Sequence, residues 1–152
     1  MPDRYPTFST SIRLMRHRVQ YRIEERWLEF NVQDIQVIGE YTAPPGLLAS
    51  DYFFSFKLRG QAEVLDVPGY TEGLFETLAD LRAVLPGIGM PKLQMSVDFA
   101  SNVLYPAHVA GLAMYAFRQE QKPLIDLPLL RAVGSVQRVH KALNPEVLAA
   151  VH

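Results

Sequence analysis

The sequence predicts an α+β protein: an antiparallel β-meander packed by one amphipathic helix, with further strands and C-terminal helices behind it. Three observations carry that reading. Apolar residues alternate with polar ones through residues 10–67, the period becomes helical over 74–85, and no internal repeat or linker interrupts the chain.

In the first half, Val19, Tyr21 and Ile23 alternate, then Leu28, Phe30 and Val32, then Ile35, Val37 and, past Gly39, Tyr41. After the turn-rich APPGLLAS the pattern resumes at Tyr52, Phe54, Phe56 and Leu58, and again at Glu63, Leu65 and Val67. Period two with β-branched and aromatic residues marks half-buried strands, and Gly60 between two such runs predicts a tight hairpin. Leu74, Phe75, Leu78, Leu81 and Leu85 then share one helix face, with Glu72, Glu76 and Asp80 largely on the other. Thr71 reads as the N-cap and Pro86-Gly87 as the stop. Gly73 falls in the first turn, where glycine costs about 1 kcal/mol relative to alanine.

Strand character returns at Leu93, Met95 and Val97, and again at Leu112, Met114 and Ala116. Leu129, Val133, Val136, His140 and Leu143 recur at helical spacing and predict a long helix opened by Pro128. Asn144-Pro145 reads as N-cap and first residue of a short closing helix. One domain is expected over 1–152: meander and helix in 1–85, two strands and C-terminal helices in 86–152.

With 49% apolar and 20% charged residues the composition is that of a soluble globular protein, and no apolar run approaches the roughly 20 residues of a membrane-spanning helix. The start, MPDRYPTFSTSIR, has no apolar segment behind its charges, so a cytoplasmic location is expected. The absence of cysteine excludes disulfides, thiolate metal sites and a cysteine nucleophile. Charge is unevenly spread: six arginines face three acids in residues 1–28, whereas nine acids face Lys57 and Arg59 in residues 29–80. Such a block is either a chance clustering of solvated acids or a surface that steers a basic partner.

VDFASNVLYPAHVAG (97–111) places Asp98, Ser101 and His108 close in sequence. A nucleophilic serine needs a sharp elbow such as G-x-S-x-G, and F-A-S-N-V has no flanking glycine; the segment reads as a polar loop. His17, His140 and His152 form no H-x-x-x-H pair, so no metal is expected. LPGIGMP lies between a helix and a strand, the reverse of a phosphate cradle, and no cofactor is expected. Glu24 and Glu25 would point to opposite faces of a strand. RLMRHRVQYR (13–22) could track phosphates, but a solvated strand face explains it and no nucleic-acid partner is expected.

WLEFNVQDIQVIGEYT, DYFFSFKL, AEVLDVP and the helix TEGLFETLADLRAVL together resemble bacterial pleckstrin-homology-like domains over roughly residues 12–85. The matching residues are Trp27, Asp34, Ile35, Tyr52, Phe53, Phe54, Pro68, Leu74, Phe75 and Leu78. The resemblance implies a strongly bent meander capped by a helix, with a binding role and no catalytic centre. In general type the chain is also similar to small toxin-immunity proteins.

The functional expectation is a non-enzymatic module that binds another protein, such as a basic toxin or effector, through Glu40, Tyr41, Leu47, Leu48, Asp51, Glu63 and Asp66. Two prolines lower the ordering cost of the 40–52 loop; Leu47 and Leu48 either anchor the partner or tuck onto the core. A homo-oligomer formed through an edge strand is compatible with this reading. The alternative is a small-ligand or enzymatic pocket between sheet and last helix, with Tyr105, His108, Tyr115 and His140 converging in it.

Overall fold

The structure, a computed structural model, describes residues 9–42, 52–94, 96, 99–123 and 135–151. Strands β1 (Thr10–Met15), β2 (Arg18–Ile23) and β3 (Arg26–Asn31) follow one another through two-residue turns into an antiparallel sheet in that order. Arg16 and Glu24 take positive φ values of 59° and 53°, as the first residue of so short a turn must to match the strand twist. Alternation then buries Ile12, Val19 and Tyr21 on one side and leaves Arg13 and Arg18 in solvent on the other.

A single 3-10 turn leads into β4 (Ile35–Thr42), which is joined by β5 (Tyr52–Leu58), β6 (Val64–Pro68) and β7 (Ala100–Tyr105). Their order is β6-β5-β4-β7, with every neighbouring pair antiparallel. Helix α1 (Leu74–Val84) lies between β6 and β7 in the chain, β8 (Tyr115–Pro123) and β9 (Ser135–Leu143) form a two-stranded sheet, and α2 (Pro145–Val151) follows. The fold is therefore mixed α+β with mostly antiparallel, unclosed sheets.

The four-stranded sheet is covered on both faces, which is why β4 and β5 carry almost no exposed residue. Ile38, Phe54, Phe56, Val67 and Leu104 meet Ile12, Val19 and Tyr21 of the first sheet and Leu74, Leu78 and Leu81 of α1. On the reverse face Val37, Tyr41 and Val103 meet Met114, Tyr115 and Val147. Each large apolar side chain so buried contributes about 1.5–3 kcal/mol. Gly39 permits the second layer to approach: a Cβ there would overlap Met114 Sδ.

Five expectations need correction. Residues 135–143 are a strand, not part of a long helix, and residues 128–134 of that expectation lie outside the described residues. Val136, Val139 and the ladder from Tyr115↔Leu143 to Pro123↔Ser135 outweigh the helical spacing, because the pairing satisfies the backbone of both strands. Leu93 precedes a strand rather than forming one, with Met95 and Val97 outside the described residues, and the strand expected at 112–116 begins only at Tyr115. The N-cap of α1 is Gly73 at φ 81°, not Thr71, because Glu72 is drawn into backbone bonds with Thr10 and Ile12 of β1 before the helix starts. Gly60 does turn the chain, at φ 78°, yet five residues separate β5 and β6, so the hairpin is not tight. Asn144 caps α2 as read: its Oδ1 accepts the Glu146 N–H at 3.0 Å.

Candidate functional site

The register of β4, β5 and β6 brings three polar side chains to the same face of the central sheet. Tyr41 sits on β4, and Ser55 and Asp66 are directly opposed on β5 and β6. Tyr41 donates to Asp66 Oδ2 at 3.1 Å and Ser55 donates to Asp66 Oδ1 at 2.8 Å. The β8–β9 sheet then delivers Lys141, whose ammonium pairs with Asp66 and lies 4.0 Å from the Tyr41 ring centre and 4.7 Å from that of Tyr115. Cation, carboxylate and two aromatic faces thus compensate one another where neither charge is fully hydrated.

Burial sets the electrostatics here. It lowers the Lys141 ammonium below the usual lysine range, and Asp66 works against that shift. It also pushes the Tyr41 phenol up, with Asp66 adding to the effect, and the Tyr115 phenol likewise. The Tyr115 hydroxyl faces Ser55 and Asp66 without completing a hydrogen bond. Beside the cluster opens a cavity of about 390 Å³ lined by Ala62, Glu63, Val64, Tyr115, Lys141 and Leu143. It can admit a small polar group against Lys141 and Glu63; Ser55 is committed to Asp66, so no nucleophile–base pair is formed among these residues.

Of the residues read from sequence as a contact surface, Glu63 lines this cavity, and Tyr41 and Asp66 meet in the cluster beside it. Glu40 does not: at 0% exposure it points to the opposite core. There its Oε1 accepts the backbone N–H groups of Lys92 and Leu93 at 2.7 and 2.8 Å, and its Oε2 accepts the Tyr52 hydroxyl at 2.7 Å. Burial, then the Glu40 carboxylate, push the Tyr52 phenol up. Leu47, Leu48 and Asp51 lie outside the described residues.

The other polar candidates are structural. The segment read as a polar loop is in part a strand, because residues 100–105 pair with β4 as β7. Ser101 lies there, and its Oγ accepts the Tyr115 N–H at 2.9 Å and donates to the Tyr115 carbonyl at 3.3 Å. The His108 ring nitrogen lies 3.0 Å from the Ala150 carbonyl of α2, far along the chain from Ser101, and Asp98 is outside the described residues. Tyr105 packs on the first core and Tyr115 on the second, so these two do not converge with each other; His140 lies on β9. Among the described residues no three His, Asp or Glu side chains group as a metal site, and no helix is long and apolar enough to cross a membrane.

Two surfaces gather charge. On α1 and the turn before it, the exposed Glu72, Glu76 and Asp80 accompany Tyr70 and Phe75, which stay 46% and 45% exposed. On the outer side of the first sheet Arg13 and Arg22 lie 5.4 and 5.8 Å from the Trp27 ring, and Arg18 pairs with Glu29 at 3.1 Å. No family model, curated protein or solved structure matches this chain.

Proposed function

We propose that the protein is a non-enzymatic binding module whose contact surface is the outer face of α1, and that its partner is a basic protein such as a toxin or effector. The observation that carries this reading is the pair of half-exposed aromatics, Tyr70 and Phe75, set among Glu72, Glu76 and Asp80. Aromatic side chains give large contact area at low entropic cost, and the carboxylates speed encounter with a basic surface. The face is also held in place: Thr77 donates to the Ile12 carbonyl at 3.1 Å and Glu72 is bonded to β1 on both sides, so little ordering is left for the binding event. The resemblance of the meander and helix to pleckstrin-homology-like domains fits a binding role.

The test is capture from native-host lysate at low and high salt, using wild type and Glu72→Lys/Glu76→Lys/Asp80→Lys. A stoichiometric basic partner held by wild type, released by salt and lost by the triple variant is the expected result. A partner retained equally by the variant removes α1 from the interface.

A second reading is favoured by one observation, the cavity beside Lys141 and Glu63. In it the protein takes a small polar ligand at the Asp66–Lys141 pair, and titration calorimetry with Lys141→Met as control separates the two readings.

A further inference from the structure

The first sheet has two edges, and the structure treats them differently. On β1 the outward backbone groups are used: Ile12 N–H donates to the Glu72 carbonyl at 2.9 Å and Glu72 N–H donates to the Thr10 carbonyl at 3.1 Å. On β3 no described strand pairs with the outer side. The two-residue turn between Ile23 and Arg26 fixes which groups are left over. The pair flanking such a turn exchanges both hydrogen bonds, and bonded pairs recur at every second residue. Arg26, Leu28 and Phe30 therefore point their backbone groups at β2, a phase confirmed by the Val32 N–H donating to the His17 carbonyl at 2.9 Å. Trp27, Glu29 and Asn31 point theirs outward.

The side chains along this edge are equally unfinished. Trp27 and Leu28 are 51% and 47% exposed, on opposite faces of the strand. A six-residue edge with exposed apolar residues, whose one inward-facing charge, Arg26, sits at the turn end, is an arrangement that invites another strand. The far end of β3 is flanked by the β5–β6 turn, across a cavity of about 200 Å³ lined by Glu29, Asn31, Asp34 and Arg59 among others. The open stretch is thus centred on Leu28.

We propose that β3 pairs with β3 of a second copy of this chain, antiparallel about a two-fold axis at Leu28. Charge selects that register. A two-fold axis normal to the sheet sets one residue against itself, so the choices are centres at Trp27, Leu28 or Glu29. A centre at Trp27 opposes Glu29 to Glu25, and a centre at Glu29 opposes it to itself; both set like charges across the ladder. The Leu28 centre opposes Glu29 to Trp27 and Arg26 to Phe30, and brings each Glu29 beside the arginines that flank the other copy's Trp27. It also matches the backbone phase, because Trp27 and Glu29 then form bonded pairs from the very groups β2 leaves free, and Leu28 meets Leu28 as a non-bonded pair. One strand edge covers less than the roughly 1,200 Å² of a stable interface, so the association is weak and concentration-dependent.

Sedimentation velocity from low micromolar to near-millimolar protein is the first arm. The mass moves from 17.2 kDa towards twice that value, and Leu28→Lys, which sets two ammonium groups against each other, holds it at the monomer while its circular dichroism stays that of wild type. The second arm uses the absence of native cysteine. Leu28→Cys forms an intermolecular disulfide under mild oxidation because the opposed Cα atoms stand within bridging distance, whereas Trp27→Cys, displaced along the ladder from its own copy, does not. A wild type that stays monomeric throughout, a dimer that survives Leu28→Lys, or crosslinking at Trp27→Cys in preference to Leu28→Cys overturns the proposal.

Discussion

Replacing Glu40 with alanine should be among the most damaging single changes in the protein, although the residue touches no candidate site. Its carboxylate accepts three bonds shorter than 3 Å, two from the Lys92 and Leu93 backbone and one from Tyr52. Hydrogen bonds to a charged group contribute about 1.5–3 kcal/mol each, and the backbone N–H groups left behind cost about 1 kcal/mol or more apiece where water cannot reach them. Leu93 is half-buried but Lys92 is exposed, which lets solvent recover part of the loss. The total comes to about 3–5 kcal/mol for Glu40→Ala, a large share of the 5–15 kcal/mol that holds a typical domain together. Glu40→Gln keeps an oxygen for both N–H groups and should cost only about 1–2 kcal/mol. Urea denaturation measures the ordering, and hydrogen exchange at the Lys92 and Leu93 amides measures its cause. Equal costs for the two variants, or unchanged exchange at those two amides in Glu40→Ala, would show that the carboxylate does not tether this segment.

Burial raises four of the seven tyrosines, Tyr21 to about 12 and Tyr41, Tyr52 and Tyr115 further; the folded state keeps phenol protons that the unfolded chain releases near 10. Stability is therefore full below pH 10 and falls as pH climbs above it, and absorbance at 295 nm should show these four phenols ionising only as the fold opens; titration of all seven near 10 in a native-like state would contradict this. Asp66→Ala strands the Lys141 ammonium between two tyrosine rings and should cost about 1–3 kcal/mol by chemical denaturation, with Asp66→Ala/Lys141→Met recovering part of it; no recovery would mean that the pair is not coupled. Gly73→Ala should destabilise by more than about 1 kcal/mol, against the helix-propensity trend, because φ is 81° and a Cβ would overlap the Ile12 carbonyl. A neutral or stabilising result in thermal melts would place Gly73 inside the helix after all.

The legible part of this fold was the part whose pattern had one period. Runs of alternation from Val19 to Val67 put β2 to β6 where they lie, whereas β1 carried no run of its own and Val32 falls in the 3-10 turn rather than in a strand. The helix α1 followed from Leu74, Leu78 and Leu81, all of which are buried. The segment around 129–143 carried two periods at once: Val136, His140 and Leu143 fit a helix, while Val136 and Val139 are β-branched, and only the pairing with β8 decides between them. That misreading hid the candidate site, since Lys141 placed on a helix has no reason to meet Asp66. Ser55 and Asp66 were recoverable in principle, but only once the β5–β6 register was known, because register decides which face a side chain takes.

The same parity explains why a contact surface could not be read as a contiguous stretch. Glu40 and Tyr41 are neighbours in sequence, yet one bonds Tyr52 in the first core and the other bonds Asp66 beneath the β8–β9 sheet. In a strand covered on both faces neither residue is free for a partner, so acids counted along β4 and β6 are lost to internal bonds. Of the acids in residues 29–80, Glu72, Glu76 and Asp80 stay in solvent on α1 and the turn before it, while Glu29 on β3 and Glu63 in the β5–β6 turn are exposed elsewhere. Arg13 and Arg18 remain in solvent on the outer side of the first sheet, whereas Arg22 beside Trp27 is partly buried. The charge division seen along the chain therefore persists as two separate surfaces, and binding on α1 leaves β3 free to pair. Leu28→Lys and the α1 charge reversals should accordingly act independently: the first abolishing self-association without altering partner capture, the second doing the reverse.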